Sequence, residues 1–287
     1  KEKPDAVMIL GDTNSAIAAV VAERMHIPVY HMEAGNRSFD KNVPEELNRR
    51  MVDHVASFNL PYNDYSMRNL LAEGIHPRKI QKSGSPIAEI YSRYKTKIQQ
   101  SQALETLGLK KDAYILVSVH RQENVDLPAR LDLVLECLRQ TQQHFSLPLL
   151  VSTHPRTRAR LGSFDSKSLH GINFHDPFGY IDYNKLQQNA FCVVSDSGTI
   201  SEESAIIGFP AVSIRDSIER PESLETGSMV LTGLNPENLI QSIELTRKLA
   251  PSATLPEGYE ITDFSDRVIK FLFSTARLHK TWDNLHH

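Results

Sequence analysis

Cysteine, charge of one sign and long apolar runs are all scarce in this chain, and each scarcity excludes a class of protein. Only Cys137 and Cys192 occur among 287 residues; both lie in apolar contexts, so buried free thiols in a reducing compartment are expected. The 32 basic and 35 acidic residues leave a formal net charge of -3, which gives no support for a nucleic-acid-binding or polyanion-binding protein. No run of about 18 apolar residues occurs, so no membrane-spanning helix is predicted.

What the chain does contain is an alternation of short apolar runs and helical patterns. With 40% hydrophobic residues it can bury a sizeable core, and the pattern favours two cores. The predicted strands are Val7–Leu10, Val29–His31, Phe58–Leu60 and Ile80–Lys82 in a first series, and Tyr114–Val119, Leu149–Ser152, Ile172–Phe174, Cys192–Ser195 and Ala211–Ile214 in a second. Helical patterns lie between them, so we expect two doubly wound α/β domains that face each other across a cleft.

The same pattern predicts where the domains begin and end. A polar helical stretch from Ala88 to about Leu107 connects the two series, so the first domain is expected over 1–95 and the second over 96–262. The remaining residues, 263–287, form a predicted helix that crosses back to the first domain. The first strand follows Lys1–Asp5 directly, although an inner parallel strand needs neighbours on both sides, so an amino-terminal portion of the first domain is expected to be absent.

Charged residues cluster directly after the second predicted strand. Glu33 and Arg37 follow it at once, and Glu45 and Arg49 lie a few residues further on. Ligands of open parallel sheets bind at the carboxyl ends of the strands, so this position favours a functional cluster. A solvated loop that holds ion pairs is the alternative.

Asp12 follows the first predicted strand, on a turn that leads into a helical pattern. If the two strands are neighbours, Asp12 and Glu33 face one crevice. Close carboxylates can differ in protonation, so that one holds a proton while the other accepts one. The alternative is that Asp12 caps the following helix.

The second domain carries the pattern most typical of phosphate binding. Ser197, Gly198 and Thr199 run from a buried strand into the helical stretch 200–207. The amino end of a helix offers unpaired N–H groups and the positive end of its dipole, and the two hydroxyls add donors. Glu203 can accept hydrogen bonds from ribose hydroxyls. A capping box without any ligand is the alternative.

Further candidates lie on neighbouring loops. Arg215 and Arg220 follow the next strand and can pair with phosphate oxygens, or form surface ion pairs with nearby glutamates. Tyr183 is a candidate to stack on a nucleobase, with a place in the core as the alternative.

The turn after the second domain's first strand carries His120, Arg121 and Asn124. A histidine there can donate to a phosphate or move a proton near neutral pH. His154 is a weaker candidate of the same kind. The histidines are scattered without paired ligand spacing, so no metal site is predicted.

Taken together, these residues resemble the non-hydrolysing UDP-N-acetylglucosamine 2-epimerases over nearly the whole chain. The motifs that carry the resemblance, in the family's order, are Gly11-Asp12-Thr13, His31-x-Glu33-Ala34-Gly35-x-Arg37, Pro44-Glu45-Glu46-x-Asn48-Arg49, His120-Arg121-x-Glu123-Asn124, Asp196-Ser197-Gly198-x-x-x-Glu202-Glu203 and Glu219-Arg220-Pro221-Glu222. Variants such as Asn36 and Asp40 are most similar to a branch that makes UDP-N-acetyl-L-fucosamine for bacterial surface polysaccharides.

The resemblance implies a cytoplasmic, homodimeric enzyme with two Rossmann-like domains in a GT-B-like arrangement, and no metal or nicotinamide. It implies that a base removes the proton at carbon 2 while UDP leaves the anomeric carbon, after which UDP adds back and a proton arrives from the opposite face. Asp12, Glu33 and Glu45 would do this work, with His120 at the departing diphosphate. It implies that Ser197, Gly198, Thr199 and Arg220 hold the diphosphate, Glu203 the ribose and Tyr183 the uracil. Arg37, Arg49, Arg121, Asn124, His154 and Arg215 complete the expected substrate contacts.

The chain departs from the family at three places. It lacks the initial strand and Gly-Thr-Arg-Pro-Glu type loop, and it has Thr199 and Phe178 where relatives commonly have a glycine and a polar residue. Two other functions therefore stay open: a glycosyltransferase of the same two-domain shape, and an inactive fragment that binds UDP-sugars. The acids of the first domain argue against the transferase, which needs an acceptor site there.

Overall fold

The structure is a computed structural model that describes residues 4–41, 43–161, 170–249, 254–283 and 285. The described chain divides into two compact units. The first contains the residues up to Glu89, the segment Glu219–Pro221 and the residues from Pro256 onward. The second contains Ile90–Ile218 and Glu222–Leu255.

Strands and helices alternate along both units, which confirms the predicted α/β class. The strands are β1 (Val7–Leu10), β2 (Val29–Met32), β3 (Phe58–Leu60), β4 (Ile115–Ser118), β5 (Leu149–Ser152), β6 (Ile172–His175), β7 (Cys192–Ser195), β8 (Ala211–Ser213) and β9 (Val230–Leu231). The helices are α1 (Ala18–Arg24), α2 (Pro44–Val55), α3 (Asp64–Ala72), α4 (Ile87–Gln100), α5 (Ala103–Thr106), α6 (Gln122–Val125), α7 (Pro128–Phe145), α8 (Pro155–Leu161), α9 (Tyr180–Asn189), α10 (Ile200–Ile207), α11 (Glu222–Glu225), α12 (Pro236–Lys248), α13 (Phe264–Thr275) and α14 (His279–Trp282).

The sheet of the first unit is parallel, with the strand order β1-β2-β3. Successive residues of a strand point to opposite faces, so β2 packs on both sides. Val29 lies in one cluster with Val52 of α2, and Tyr30 lies in another with Phe58 and with Val268 of α13. Burying each such side chain stabilises the fold by about 1.5–3 kcal/mol. The last long helix is therefore part of the first unit's core.

The fourth strand predicted for this unit, Ile80–Lys82, does not form, and that prediction is wrong. Ile80 makes only an isolated parallel bridge with Asn59. The amides of Gln81 and Ser83 donate to the carbonyls of Asn59 and Pro61. Proline has no N–H, so Pro61 cannot return the next hydrogen bond and a regular ladder stops there.

The sheet of the second unit is parallel, with the strand order β6-β5-β4-β7-β8-β9. The five strands predicted here are present, and β9 was missed because two residues show no periodicity. Strands β5 and β6 follow β4 on one side of it, and β7, β8 and β9 then extend the sheet on the other side. The neighbours β4 and β7 thus form the topological switch point, and ligands of such sheets bind at the carboxyl ends of the strands there.

Both faces of this second sheet are covered, as a parallel sheet requires. Leu116 and Val193 belong to one core cluster, and Val117 and Val194 belong to another. The cluster that holds Val117 also buries Cys137 and Cys192, both free thiols. Burial raises the pKa of the Cys137 thiol to about 11 and that of Cys192 to about 12, so both stay protonated at neutral pH.

The boundary between the units falls inside α4, since Glu89 belongs to the first unit and Ile90 to the second. Boundaries at 95 and 262, as drawn from the sequence, assign Glu219–Pro221 to the second domain, whereas these residues pack in the first unit. None of the described helices has the length and apolarity needed to cross a membrane.

Candidate active site

Two turns with left-handed backbone place the first carboxylates. After β1, Gly11 donates its N–H to the carbonyl of Met32 at 3.0 Å and adopts φ +70°. After β2, Glu33 itself has φ +66°, a conformation that costs an L-residue about 1–2 kcal/mol. A Cβ placed on Gly11 would lie 3.4 Å from Oε2 of Glu33. The turns that carry Asp12 and Glu33 are therefore adjacent.

Asp12 is held by a buried arginine and does not cap the following helix. Its Oδ2 accepts from Nε and Nη2 of Arg49, at 3.0 and 2.5 Å, and the side chain stays 23% exposed. Arg49 also lies 3.2 Å from Glu46 and 3.3 Å from Glu219. Burial opposes the charged form of Arg49, but Glu219, Asp12 and Glu46 outweigh it and raise its pKa. Arg49 therefore supports Asp12 as a permanent cation.

Glu33 is the second partly exposed carboxylate, with a quarter of its side chain accessible. Its Oε1 accepts from Nη2 of Arg220 at 2.8 Å and from the amide of Asn36 at 3.2 Å. Arg220 is buried and belongs to the short segment Glu219–Pro221 of the first unit. The arginine expected to hold a diphosphate thus contacts an acid expected to move protons.

Arg37, which the sequence placed among the substrate contacts, is turned inward. Its side chain has no exposed surface, and its nitrogens donate to Glu73, Asp53 and the carbonyl of Asn36. Asp53 also accepts from the N–H of Gly35 at 3.1 Å. All three nitrogens of the Arg37 guanidinium donate hydrogen bonds to protein atoms. Arg37 therefore presents no surface to a ligand in this structure. It holds the turn that carries Glu33.

Glu45 and Glu46, at the start of α2, have different environments. Glu46 is buried and accepts from the N–H and hydroxyl of Ser38, from Arg49 and from Arg50. Glu45 is only half-buried. Of the two, Glu45 is therefore the one whose side chain is partly accessible.

In the second unit, Asp196 joins the two loops that flank the switch point. It lies directly after β7, is fully buried, and accepts from the backbone N–H groups of His120 and Arg121 at 3.1 and 3.0 Å. The amide of Asn124 donates to it as well, at 3.0 Å. Asn124 is itself buried and accepts from Arg130, so it supports this loop and offers no free face to a ligand.

His120 projects from the loop that Asp196 fixes. Its side chain is 41% exposed, and its Nδ1 lies 3.4 Å from Oδ1 of Asp196. The ring of His154, which follows β5, lies 6.3 Å from the His120 ring between centroids. The structure thus brings together the two histidines that the sequence singled out.

The loop Ser197–Thr199 connects Asp196 to α10. The Ser197 and Thr199 hydroxyl oxygens are 3.0 Å apart, and Thr199 donates to Oε1 of Glu203 at 2.8 Å. Gln187 donates to Oε2 of Glu203 at 2.6 Å. Thr199 occupies the N-cap position without a side-chain capping bond, so the capping box does not form.

Tyr183 and Arg215 sit at the margin of this region. Tyr183 packs partly against a core cluster, and its phenol is hydrogen-bonded to Ser118 at the end of β4. Burial, reinforced by Glu203, raises the pKa of the phenol, so it stays neutral. Arg215 is buried just after β8.

The sequence reasoning missed Asp53, Asp196 and Glu219 as parts of the site. Asp196 stood within a motif and at a strand end, which is a usable signal. Glu219 likewise stood within a motif, whereas Asp53 gave no such signal, because its role depends on packing between segments that are distant in the chain. Among the described residues there is no cluster of His, Cys, Asp and Glu that could hold a metal ion.

Comparison with known proteins gives a consistent set of relatives. The sequence profile of one family, described as UDP-N-acetylglucosamine 2-epimerase, matches residues 1–272. A UDP-N-acetylglucosamine 2-epimerase of Methanocaldococcus jannaschii is 38% identical over 253 residues, which cover 85% of this chain and 69% of that protein. A UDP-2,3-diacetamido-2,3-dideoxy-D-glucuronate 2-epimerase of Pseudomonas aeruginosa is 34% identical over 246 residues, 84% of this chain and 67% of that protein.

A solved structure gives the same result for the fold. It is the Methanocaldococcus jannaschii UDP-GlcNAc 2-epimerase in complex with UDP-GlcNAc and UDP, and it superposes with a TM-score of 0.88 at 34% identity. The match covers 95% of this chain and 76% of that one.

Proposed function

Because this chain belongs to the UDP-N-acetylglucosamine 2-epimerase family, we propose that it interconverts the two carbon-2 epimers of a UDP-N-acetylhexosamine. The enzyme is an isomerase. The observation that carries the proposal is the pair of partly exposed carboxylates, Asp12 and Glu33, on adjacent turns of the first unit, each bound to a buried arginine. Proton transfer at both faces of a sugar carbon needs two such groups.

The reaction proceeds by elimination and re-addition. A carboxylate takes the proton from carbon 2, and the electron pair of that C–H bond forms a double bond to carbon 1. The bond from carbon 1 to the phosphate oxygen breaks, and UDP leaves with its electron pair. UDP then adds back to carbon 1 while a second acid delivers a proton to the opposite face of carbon 2. Atoms balance without an oxidant or a reductant.

We assign the proton transfers to Asp12, Glu33 and Glu45. Arg49 and Arg220 support this assignment, since each holds a carboxylate in place with a guanidinium. His120 donates to the departing diphosphate oxygen, and its exposed ring on a loop fixed by Asp196 supports that role.

The nucleotide is assigned to the carboxyl ends of β4, β7 and β8. Ser197, Gly198, Thr199, Arg215 and Arg220 bind the diphosphate, which an arginine fork can hold through two oxygens. The remaining nucleotide contacts are assigned as follows: Glu203 to the ribose, Tyr183 to the uracil, and Arg121 and His154 to the phosphate region beside His120. Arg37 and Asn124 are left out, because every nitrogen of the Arg37 guanidinium and both polar atoms of the Asn124 amide already bond to protein partners.

Two substrate pairs fit this assignment. The name of the 38% identical relative supports UDP-GlcNAc and UDP-ManNAc. The motif variants around Asn36 support UDP-2-acetamido-2,6-dideoxy-L-talose and UDP-L-FucNAc. The two pairs belong to the D and L series and so differ in ring configuration, and they differ also at carbon 6, where a methyl replaces a hydroxymethyl group. Contacts in the sugar pocket decide between them.

The test is nuclear magnetic resonance of the purified protein with each UDP-sugar and no acceptor. We expect one pair to reach an equilibrium mixture of epimers, and Glu33→Gln, which keeps the shape of the side chain, to slow this strongly. Sugar release only when an acceptor is added would indicate a glycosyltransferase. Binding of UDP without any conversion would indicate an inactive UDP-sugar-binding fragment.

A further inference from the structure

A buried carboxylate of α2 lies beneath both acid-bearing turns of the first unit. Asp53 is 1% exposed. Its Oδ1 lies 2.7 Å from Nδ1 of His31, and its Oδ2 accepts from Arg37 at 2.7 Å and from the N–H of Gly35 at 3.1 Å. The last two contacts grip the turn that begins at Glu33.

His31 extends this grip to the other turn. Its ring is fully buried, and Nε2 lies 2.9 Å from the carbonyl oxygen of Gly11, the residue before Asp12. A carbonyl oxygen only accepts, so Nε2 of His31 donates to Gly11. The other ring nitrogen, Nδ1, is the one that contacts Asp53. One imidazole thus spans from the helix to the end of β1.

The turn after β2 needs such support, because it holds a residue other than glycine in the left-handed region. Glu33 has φ +66°, and strained residues of this kind persist only where their surroundings over-determine them. Gly35 has φ +82°, and a Cβ there would lie 2.2 Å from the carbonyl oxygen of Ser66, so this position of the turn requires glycine.

We propose that Asp53, acting through His31 and Gly35, is a positioning residue that sets the placement of Asp12 and Glu33. Asp53 touches no substrate and moves no proton; it fixes the separation of the two carboxylates that do. The inference rests on the proposed function in one respect, that Asp12 and Glu33 serve carbon 2. A misplacement of about 1 Å in such a pair can cost about 10²-fold in rate.

The experiment compares Asp53→Ala with Asp53→Asn. Alanine removes every contact, and we expect kcat to fall about 10²-fold while the Kd for UDP is unchanged. Asparagine can donate to Nδ1 of His31 and still accept from Arg37 and Gly35, so it should recover most of kcat. His31→Gln removes the ring that joins Asp53 to Gly11 but leaves the contacts of Asp53 with Arg37 and Gly35, so it serves if Asp53→Ala does not fold. Combined with Asp53→Ala, it should cost little more than Asp53→Ala does singly.

A matched control separates positioning from loss of stability. Val268→Ala removes packing from α13 in the same unit, at a position far along the chain from both turns. It should keep the kcat of the parent even if it lowers Tm as much as Asp53→Ala does. The proposal is overturned if Asp53→Ala loses no more kcat than this control, if UDP binding weakens as much as kcat falls, or if the double variant is additive.

Amide hydrogen exchange gives a readout that needs no activity. Asp53→Ala should speed exchange at residues 11–12 and 33–37, and Val268→Ala should not. If the parent protein converts no UDP-sugar, the proposed function fails, and these exchange rates still decide the positioning role. Equal rates in the parent and in Asp53→Ala would refute it.

Discussion

Asp196 shows what a single buried carboxylate contributes to the second unit. It satisfies the backbone donors of His120 and Arg121 and the amide of Asn124. Asparagine has one acceptor oxygen, so its amide group would face one of these donors and leave it unpaired, at a cost of about 1–3 kcal/mol. We expect Asp196→Asn to lower the free energy of unfolding by that amount in urea, and to weaken UDP binding in calorimetry.

Asp112→Asn is the matched control for that change. Asp112 is in the same unit, pairs with Arg247 and is 42% exposed. Exposed ion pairs contribute about 0–1 kcal/mol, so this variant should keep nearly all stability and UDP affinity. If both substitutions had the same effect on UDP binding, the role given to Asp196 would be contradicted.

Residue chemistry could be predicted from the sequence where an apolar run ends directly before a polar group. Asp12, Glu33 and His120 were found this way, and each lies at a strand end. The inward turn of Arg37 and Asn124 could not be predicted, because it depends on Asp53 and Asp196, which lie far away in the chain. A motif shows which residues are close in sequence, and not which of them face the solvent.

At the scale of elements, the pair Arg37–Glu73 ties α3 to the turn after β2. Glu73 ends α3, and its oxygens accept from Arg37 at 2.8 and 2.6 Å. The hydrogen bond from Arg37 is the main reason that the pKa of Glu73 lies below its usual value near 4.5. The lowered pKa predicts a pH-dependent contribution of this pair to stability.

Because the folded state lowers this pKa, the stabilisation is complete above the unfolded value and is lost as pH falls through the folded one. Glu73→Gln should therefore lower the free energy of unfolding at pH 7 by about 1–3 kcal/mol. The parent and the variant should converge as pH falls from the usual value near 4.5 through the lowered pKa of the folded state. Urea titrations across this range measure the difference, and a constant difference at all pH values would contradict the assignment.

Elements of ordinary length could be predicted from the sequence, and the exceptions have local causes. Pro61 prevents the strand expected at Ile80–Lys82, since it lacks the N–H that the ladder needs. Strand β9 forms by pairing with β8, so it depends on a neighbour and not on its own two residues.

At the scale of the whole molecule, the first unit is assembled from three separate parts of the chain. Its core needs α13, where Phe264 and Val268 cover Tyr30 and Phe58. Residues 1–89 alone do not show that this core needs α13, because the need arises from packing. The sequence of the whole chain did predict that the last helix returns to this domain.

A chain that ends at Leu255 should therefore lose the first unit selectively. It exposes the apolar face that holds Tyr30 and Phe58, and each apolar side chain returned to water costs about 1.5–3 kcal/mol. Limited proteolysis should cut the first unit and spare the second. Phe273→Ala, at a position of α13 that is 73% exposed, is the control and should resist proteolysis as the parent does. Full resistance of the first unit in the truncated chain would contradict the packing.

The central claim is that carboxylates of the first unit remove and return the proton at carbon 2. Its most direct test is the reaction in heavy water, with each epimer of the accepted UDP-sugar as the starting material. Every inverted molecule should carry solvent deuterium at carbon 2, and Glu33→Gln should suppress inversion. Inversion with the original hydrogen retained at carbon 2 would contradict it.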